Sequence, residues 1–294
     1  MIEVQALTKR YGAHTAVEDL SFTAPAGAVT GVIGPNGAGK TTTFRCLLGL
    51  VDPTGGRALI GGQPYRALEA PRTCVGAVLE TTGFHPARTG RSHLRVLARA
   101  AGIDPARVDD VLDVVALRAD GGRRVGGYSL GMRQRLGIAA AMLGDPAVIV
   151  LDEPVNGLDP EGVVWMRRLL RTWAGQGRTV VVSSHLLAEL AQVVDRVVVI
   201  RGGRLVAETD IGSLNHVVVV RVDRPDVMVA ALRASGAGHE LRADGAIAVR
   251  GREPSEVGRV AAQAGVAVIE LARATPGEAL EAMFFAVTGD RGDG

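Results

Sequence analysis

One stretch constrains this chain more than any other. The residues GPNGAGKT, 34–41, follow an apolar run, AVTGVI, and open a segment with helical spacing. Glycines followed by Lys-Thr at this spacing fit a phosphate-binding loop between a strand and a helix. The glycines let successive backbone N–H groups converge on phosphate oxygens, and the end of the following helix adds favourable partial charge. Gly34, Pro35, Asn36, Gly37, Ala38 and Gly39 would form the cradle. Lys40 would reach the β- and γ-phosphates of a nucleoside triphosphate, and the Thr41 hydroxyl would ligate Mg2+. A glycine-rich turn without a ligand is the competing explanation, and the strand and helix on either side argue against it.

The sequence around this loop reads as a parallel sheet. GAVTGVIG, AVIVLDEP, TVVVSSH and RVVVIRGG are rich in Val and Ile with little alternation, the pattern of strands buried on both faces. Helical patterns lie over residues 40–50, 91–101, 129–144 and 162–175. The alternation predicts an α/β doubly wound core, with antiparallel strands contributed by residues 2–57. After about Asn215 the pattern changes. A strand (HVVVVRVD), a helix (RPDVMVAALRASG), a hairpin turning at Asp244-Gly245, a helix (EPSEVGRVAAQAG), a strand (VAVIELARA) and a closing helix follow in order. The βαββαβ order predicts a small ferredoxin-like α+β domain over residues 215–287, after a first domain over 1–214. Residues 288–294 read as a disordered tail.

Composition narrows the class of partners. The net charge is +2, from 33 basic and 31 acidic residues, which gives no electrostatic case for a nucleic-acid partner. Cys46 and Cys74 follow no metal-ligand spacing and suggest a reducing compartment. The opening MIEVQALTKRYG alternates like a strand and lacks the apolar core of a signal peptide. No apolar run approaches the roughly 18 residues of a membrane span, so any span would come from another chain.

Further stretches carry chemistry. VIVLDEP is a buried strand ending in two carboxylates, which are costly there unless they meet something positive. Ligands sit at that end of an α/β sheet. Asp152 suits a Mg2+ shell, and Glu153 is placed to activate water against a γ-phosphate. VVVSSH ends the next strand at His185, in register to contact the same phosphate. YSLGMRQRLG then raises a question. Its Ser129 and Gly131 open a helix suited to an anion, about ninety residues beyond the first cradle.

Together these stretches resemble the ATPase subunits of ATP-binding cassette (ABC) transporters over residues 1 to about 212. GPNGAGKT is similar to the Walker A box, VIVLDEP to Walker B, NGLD to the D-loop, and His185 to the switch histidine. YSLGMRQRL resembles the family signature in the form seen in bacterial drug and bacteriocin exporters. The resemblance implies a P-loop core with an antiparallel β-subdomain and a helical signature subdomain. It implies ATP and Mg2+ as ligands, with Lys40, Glu153 and His185 as the catalytic groups. It also implies a head-to-tail pair of copies, in which Ser129, Leu130, Gly131 and Met132 of one cap the ATP of the other. Tyr11 matches the adenine-stacking aromatic, Thr42 the residue facing the α-phosphate, and Asp159 the D-loop acid that links the two sites.

The chain departs from the family pattern at the Q-loop, where Glu80 replaces glutamine and remains able to ligate a cation with Thr41 and Asp152. Leu130 and Met132 also replace the usual signature residues, and Val155 and Asn156 the small hydroxyl residues before the D-loop. The implied function is ATP hydrolysis driving export of a drug, antibiotic or antimicrobial peptide. Separate integral membrane permease subunits would form the pathway, with this chain on the cytoplasmic face of the membrane. The alternative is a soluble ABC-type ATPase with a regulatory or resistance role. A third possibility, an idle tethering subunit, is disfavoured by the intact acid pair and His185.

Overall fold

The computed structural model describes residues 1–79, 83–242 and 244–288. The chain divides into two compact units, Met1–Leu186 with Val193–Glu208, and Leu187–Gln192 with Thr209–Gly294. The limits read from the sequence, 1–214 and 215–287, differ mainly in giving residues 187–192 to the first domain. Thr288 closes the last helix instead of opening a tail, and residues 289–294 lie outside those described.

In the first unit, β1 (Ile2–Tyr11), β2 (His14–Ala24) and β4 (Gly55–Ile60) form an antiparallel sheet in the order β2-β1-β4. The central sheet runs β5-β6-β7-β3-β8-β9. Its strands are β3 (Val29–Ile33), β5 (Val75–Val78), β6 (Val148–Leu151), β7 (Thr179–Ser184), β8 (Arg196–Arg201) and β9 (Arg204–Asp210). β5, β6, β7, β3 and β8 pair in parallel. Every residue of β3, β6 and β7 is buried, which explains why polar and apolar residues do not alternate along them.

Helix α1 (Lys40–Leu47) leaves the phosphate loop, and Phe44 and Leu47 on it join a core with Ile2, Leu7, Leu20 and Val32. It stops short of the anticipated residue 50 because Gly49 turns left-handed at φ +64°. Short α2 (Pro71–Cys74) leads into β5. A helical lobe follows, with α3 (Gly90–Ala100), α4 (Arg107–Val114) and α5 (Leu130–Met142) packed on one another and Leu94, Leu112 and Leu136 fully buried on them. Helix α6 (Pro160–Gly175) precedes β7.

The lobe is seated on the sheet where α5 crosses β5. An added Cβ at Gly76 would lie 2.4 Å from the Ala141 carbonyl oxygen and 2.8 Å from Pro146 Cγ. Only glycine allows that approach.

The second unit contains α7 (Leu187–Ala191), β10 (Val217–Val222), α8 (Pro225–Ala234), β11 (Gly238–Leu241), β12 (Ile247–Arg250), α9 (Pro254–Gln263), β13 (Val268–Arg273) and α10 (Pro276–Thr288). The four strands form an antiparallel sheet in the order β11-β12-β10-β13. This is the strand order of a ferredoxin-like fold. Val218 and Val220 of β10 pack with Met228 and Leu232 of α8 and Val257 of α9 in a separate apolar core. The hairpin turns at Gly245, whose φ is +80°. Among the described residues no helix is long and apolar enough to cross a membrane.

Gly76→Ala is expected to destabilise the first unit by about 1–3 kcal/mol, because the backbone must move to admit the methyl group. Chemical denaturation followed by fluorescence would measure it, with an unchanged midpoint as the contrary result.

Candidate nucleotide site

Strand order assembles the site. β6, β7 and β3 are adjacent and parallel, so their C-terminal ends open onto the same edge. From β3 comes the loop leading to Lys40, from β6 the Asp152–Glu153 pair, and from β7 Ser183, Ser184 and His185.

The loop depends on glycine at two crowded positions. A Cβ at Gly34 would lie 2.2 Å from the Ile200 carbonyl oxygen, and one at Gly39 would lie 2.5 Å from that of Ala16. Gly39 also has φ +102°, a conformation L side chains rarely adopt. With the loop so fixed, Lys40 is 6% exposed and its Nζ donates to the Gly34 carbonyl at 2.7 Å and the Pro35 carbonyl at 3.3 Å.

The two acids have different partners. Asp152 is buried; its Oδ2 accepts a hydrogen bond from Thr41 Oγ1 at 2.7 Å, and its Oδ1 accepts one from Ser183 Oγ. Glu153 has φ +49°, in the left-handed region, and its backbone N–H donates to Ser183 Oγ at 2.8 Å. That turn carries its carboxylate between Lys40 and His185. Oε1 is 3.6 Å from Lys40 Nζ, and Oε2 is 2.8 Å from His185 Nδ1. Since a carboxylate can only accept, His185 carries a proton on Nδ1 in this contact.

These residues border a cleft of about 480 Å3. Asn36, Gly37, Ala38, Gly39, Lys40, Thr41 and Thr42 line one side, with Glu153, Asn156 and His185 facing them. His14 and Ala16 from β2 complete the lining. Tyr11 is outside the lining, at the end of β1 opposite His14, and is 45% exposed. Lys9 Nζ lies 4.9 Å from the centroid of its ring, so one face of the ring is already covered by a cation.

Other residues singled out in the sequence lie apart from this cleft. Ser129 caps α5, its Oγ accepting from the Met132 backbone N–H at 3.2 Å. Leu130 is 63% exposed, and none of residues 129–132 contributes to the cleft lining. Tyr128, just before them, is buried and donates to the Asp120 carbonyl at 2.7 Å. Burial, aided by the Asp120 charge, pushes its hydroxyl up, so it stays a donor across the neutral range. Asp159 caps α6 through its Oδ1 and the Gly162 N–H, at 2.8 Å. Glu80 lies outside the described residues.

Sequence reasoning missed His14 and Ser183. His14 has no motif of its own and reaches the cleft only through the pairing of β1 with β2. Ser183 carried a signal, a buried hydroxyl directly after three valines and two residues before His185.

A glycine cradle, a buried lysine, a hydroxyl-acid pair and a second acid paired to histidine define a P-loop nucleoside triphosphatase. Residues 17–156 match the ABC transporter family, and residues 216–278 match a family described as a domain of unknown function (DUF8746). A bacitracin transport ATP-binding protein of Bacillus licheniformis is 42% identical over 212 residues, covering 71% of this chain and 69% of the relative. One from Enterococcus faecalis is 39% identical over 218 residues, covering 73% and 71%. A solved structure of the ATP binding subunit of an ABC transporter shares 26% identity and covers 88% of this chain and 98% of its own, with a TM-score of 0.67. The chain belongs to the ATP-binding subunits of ABC transporters, and it is an ATPase.

Ser183→Ala would remove one partner from each of two buried groups, the Asp152 carboxylate and the Glu153 N–H. We expect a loss of about 1–3 kcal/mol in stability and a fall in ATP turnover, read by denaturant unfolding and phosphate release. Native values for both would show that the hydroxyl holds neither acid.

Proposed function

We propose that this chain is the ATP-hydrolysing subunit of an exporter for a drug, an antibiotic or an antimicrobial peptide. It works as a head-to-tail pair bound to integral membrane permease subunits on the cytoplasmic face of the membrane. The observation that best supports the pairing is the position of the signature. Residues 129–132 form a capped helix start, exposed at Ser129 and Leu130, and none of them lines the chain's own phosphate cleft. A second copy would bring that helix start to the γ-phosphate held by Lys40. The identity with bacitracin transport subunits supports the class of cargo.

The site residues suit the reaction. Among the described residues there is no cluster of three or more His, Cys, Asp or Glu able to hold a metal ion by itself. Thr41 Oγ1 and Asp152 Oδ2, 2.7 Å apart, offer two hard oxygen ligands, a partial shell of the kind Mg2+ completes with water and phosphate oxygens. Mg2+ held there supplies charge neutralisation on the β- and γ-phosphates. Lys40 would exchange its carbonyl partners for phosphate oxygens. Glu153 would take a proton from the attacking water, with its carboxylate oriented by His185 Nδ1–H. The Ser129 hydroxyl and the N–H groups after it would hold the γ-phosphate across the pair. Tyr11 would offer adenine the ring face that Lys9 leaves open. Asp159, at the start of α6, would face the partner copy.

Two measurements test this reading. Glu153→Gln is expected to keep ATP affinity while lowering turnover roughly 10²–10⁴-fold, and to accumulate an ATP-dependent dimer on size-exclusion chromatography. Mixing Lys40→Ala with Ser129→Arg is expected to restore turnover that neither variant has alone, because one site of each mixed pair keeps both halves. No recovery, with mixed pairs confirmed by tagged co-purification, would rule out a site shared between copies.

A further inference from the structure

We propose that Leu130 is a positioning residue for Asn156 of its own chain, acting through Gly157. The inference rests on the reading of residues 129–132 as the cap on a partner's ATP, and it gives the same helix start a second task.

Glu153 is joined to α6 by a run of turns. The Asn156 N–H donates to the Glu153 carbonyl at 3.2 Å, and the Leu158 N–H donates to the Val155 carbonyl at 3.2 Å. Within this run Asn156 lines the phosphate cleft, facing the loop together with Glu153 and His185. Gly157 follows it with φ +76°. Both hydrogen bonds are internal to the turns, and a glycine next in the chain has wide backbone freedom. The direction of Asn156 therefore depends on what covers Gly157.

Leu130 of α5 supplies that cover. A Cβ on residue 157 would overlap the Leu130 Cδ2 methyl and lie 2.7 Å from its Cγ. The leucine thus fills the space that a side chain at 157 would need. The next residues repeat the fit. A Cβ at Gly131 would lie 3.6 Å from Leu158 Cδ2, and one at Gly162 would lie 3.1 Å from Leu158 Cβ. Leu158 is accordingly packed between the start of α5 and the first turn of α6. Leu130 is also one of the positions at which the signature departs from the family pattern. It remains 63% exposed, so its contact with Gly157 uses one edge of the side chain, and its truncation leaves the core intact.

Mixed pairs of full-length chains separate this action from a direct effect on the partner's ATP. In such a pair, a Ser129→Arg chain keeps its cleft and a Lys40→Ala chain keeps its signature, so one shared site works. Leu130→Ala retains the backbone N–H and removes the contact with Gly157. Added to the cleft-bearing chain, it is expected to lower kcat by about 10- to 100-fold, the range a misplacement near 1 Å produces. Added to the signature-bearing chain, it should change kcat by less than about threefold. Leu130→Met, close in volume, should restore turnover in the cleft-bearing chain. In the unmixed protein, Leu130→Ala should shift the NMR resonances of the Asn156 side-chain amide and speed hydrogen exchange at residues 156–158. A merely structural role would lower kcat equally from either chain. Equal losses, a loss confined to the signature-bearing chain, or unmoved Asn156 resonances would overturn the proposal. Should the mixed pairs show no turnover before Leu130 is changed, the shared site fails, and the unmixed protein decides. There, shifted Asn156 resonances with a lowered kcat that Leu130→Met restores would uphold the contact, and native values would end it.

Discussion

The site depends on where Ser183 places two acids. One hydroxyl contacts both residues that leave β6, donating to the side chain of Asp152 and accepting from the backbone of Glu153. Between them the chain turns into the left-handed region at Glu153, a conformation that costs on the order of 1–2 kcal/mol for a residue with a Cβ. The turn separates the two carboxylates. Asp152 stays in the buried interior with Thr41, while Glu153 reaches Lys40 and His185 at the edge of the cleft. Strain is held here by neighbours and serves placement.

The sheet makes this economical. Three adjacent parallel strands deliver the loop lysine, the acids and the histidine to one edge, and each strand is wholly buried. A buried strand has no freedom to slip, because a shift by one residue would exchange its two faces. Chemistry at the strand ends therefore inherits its precision from aliphatic packing some distance away. The close contact of Gly76 with α5 extends the same logic to the helical lobe.

Much of this was legible in the sequence, for a physical reason. Phosphate binding by backbone requires glycine at fixed spacings, and paired acids at the end of a buried strand are too costly to be incidental. Lys40, Thr41, Asp152, Glu153 and His185 stood out on those grounds, and they do converge. The β-α-β-β-α-β order and the turn at Gly245 were equally readable from alternation and turn residues. His14 was not, because its place follows from the register of β2 against β1, a long-range pairing with no local mark. Ser183 was overlooked for its neighbours, since a serine among valines reads as strand filler until its partners are known. Tyr11 was given by the resemblance as an adenine-stacking ring, and Lys9 over its face is a contact between alternate residues that a linear scan does not weigh. The membership of α7 in the second unit depends on α10, nearly ninety residues later, and no spacing rule spans that gap.

The chain contains just two lysines, and both have appeared above for other reasons. Lys9 lies on an aromatic ring and donates to the Asp52 carbonyl at 2.7 Å, while Lys40 is enclosed at the floor of the cleft. The other permanently charged side-chain cations are guanidinium groups, which ordinary acylating reagents ignore. Lysine-directed chemistry on this protein is thereby restricted to these two side chains. Acylation of Lys40 would erase the charge that faces the Glu153 carboxylate, whereas the thirty-one arginines would keep theirs.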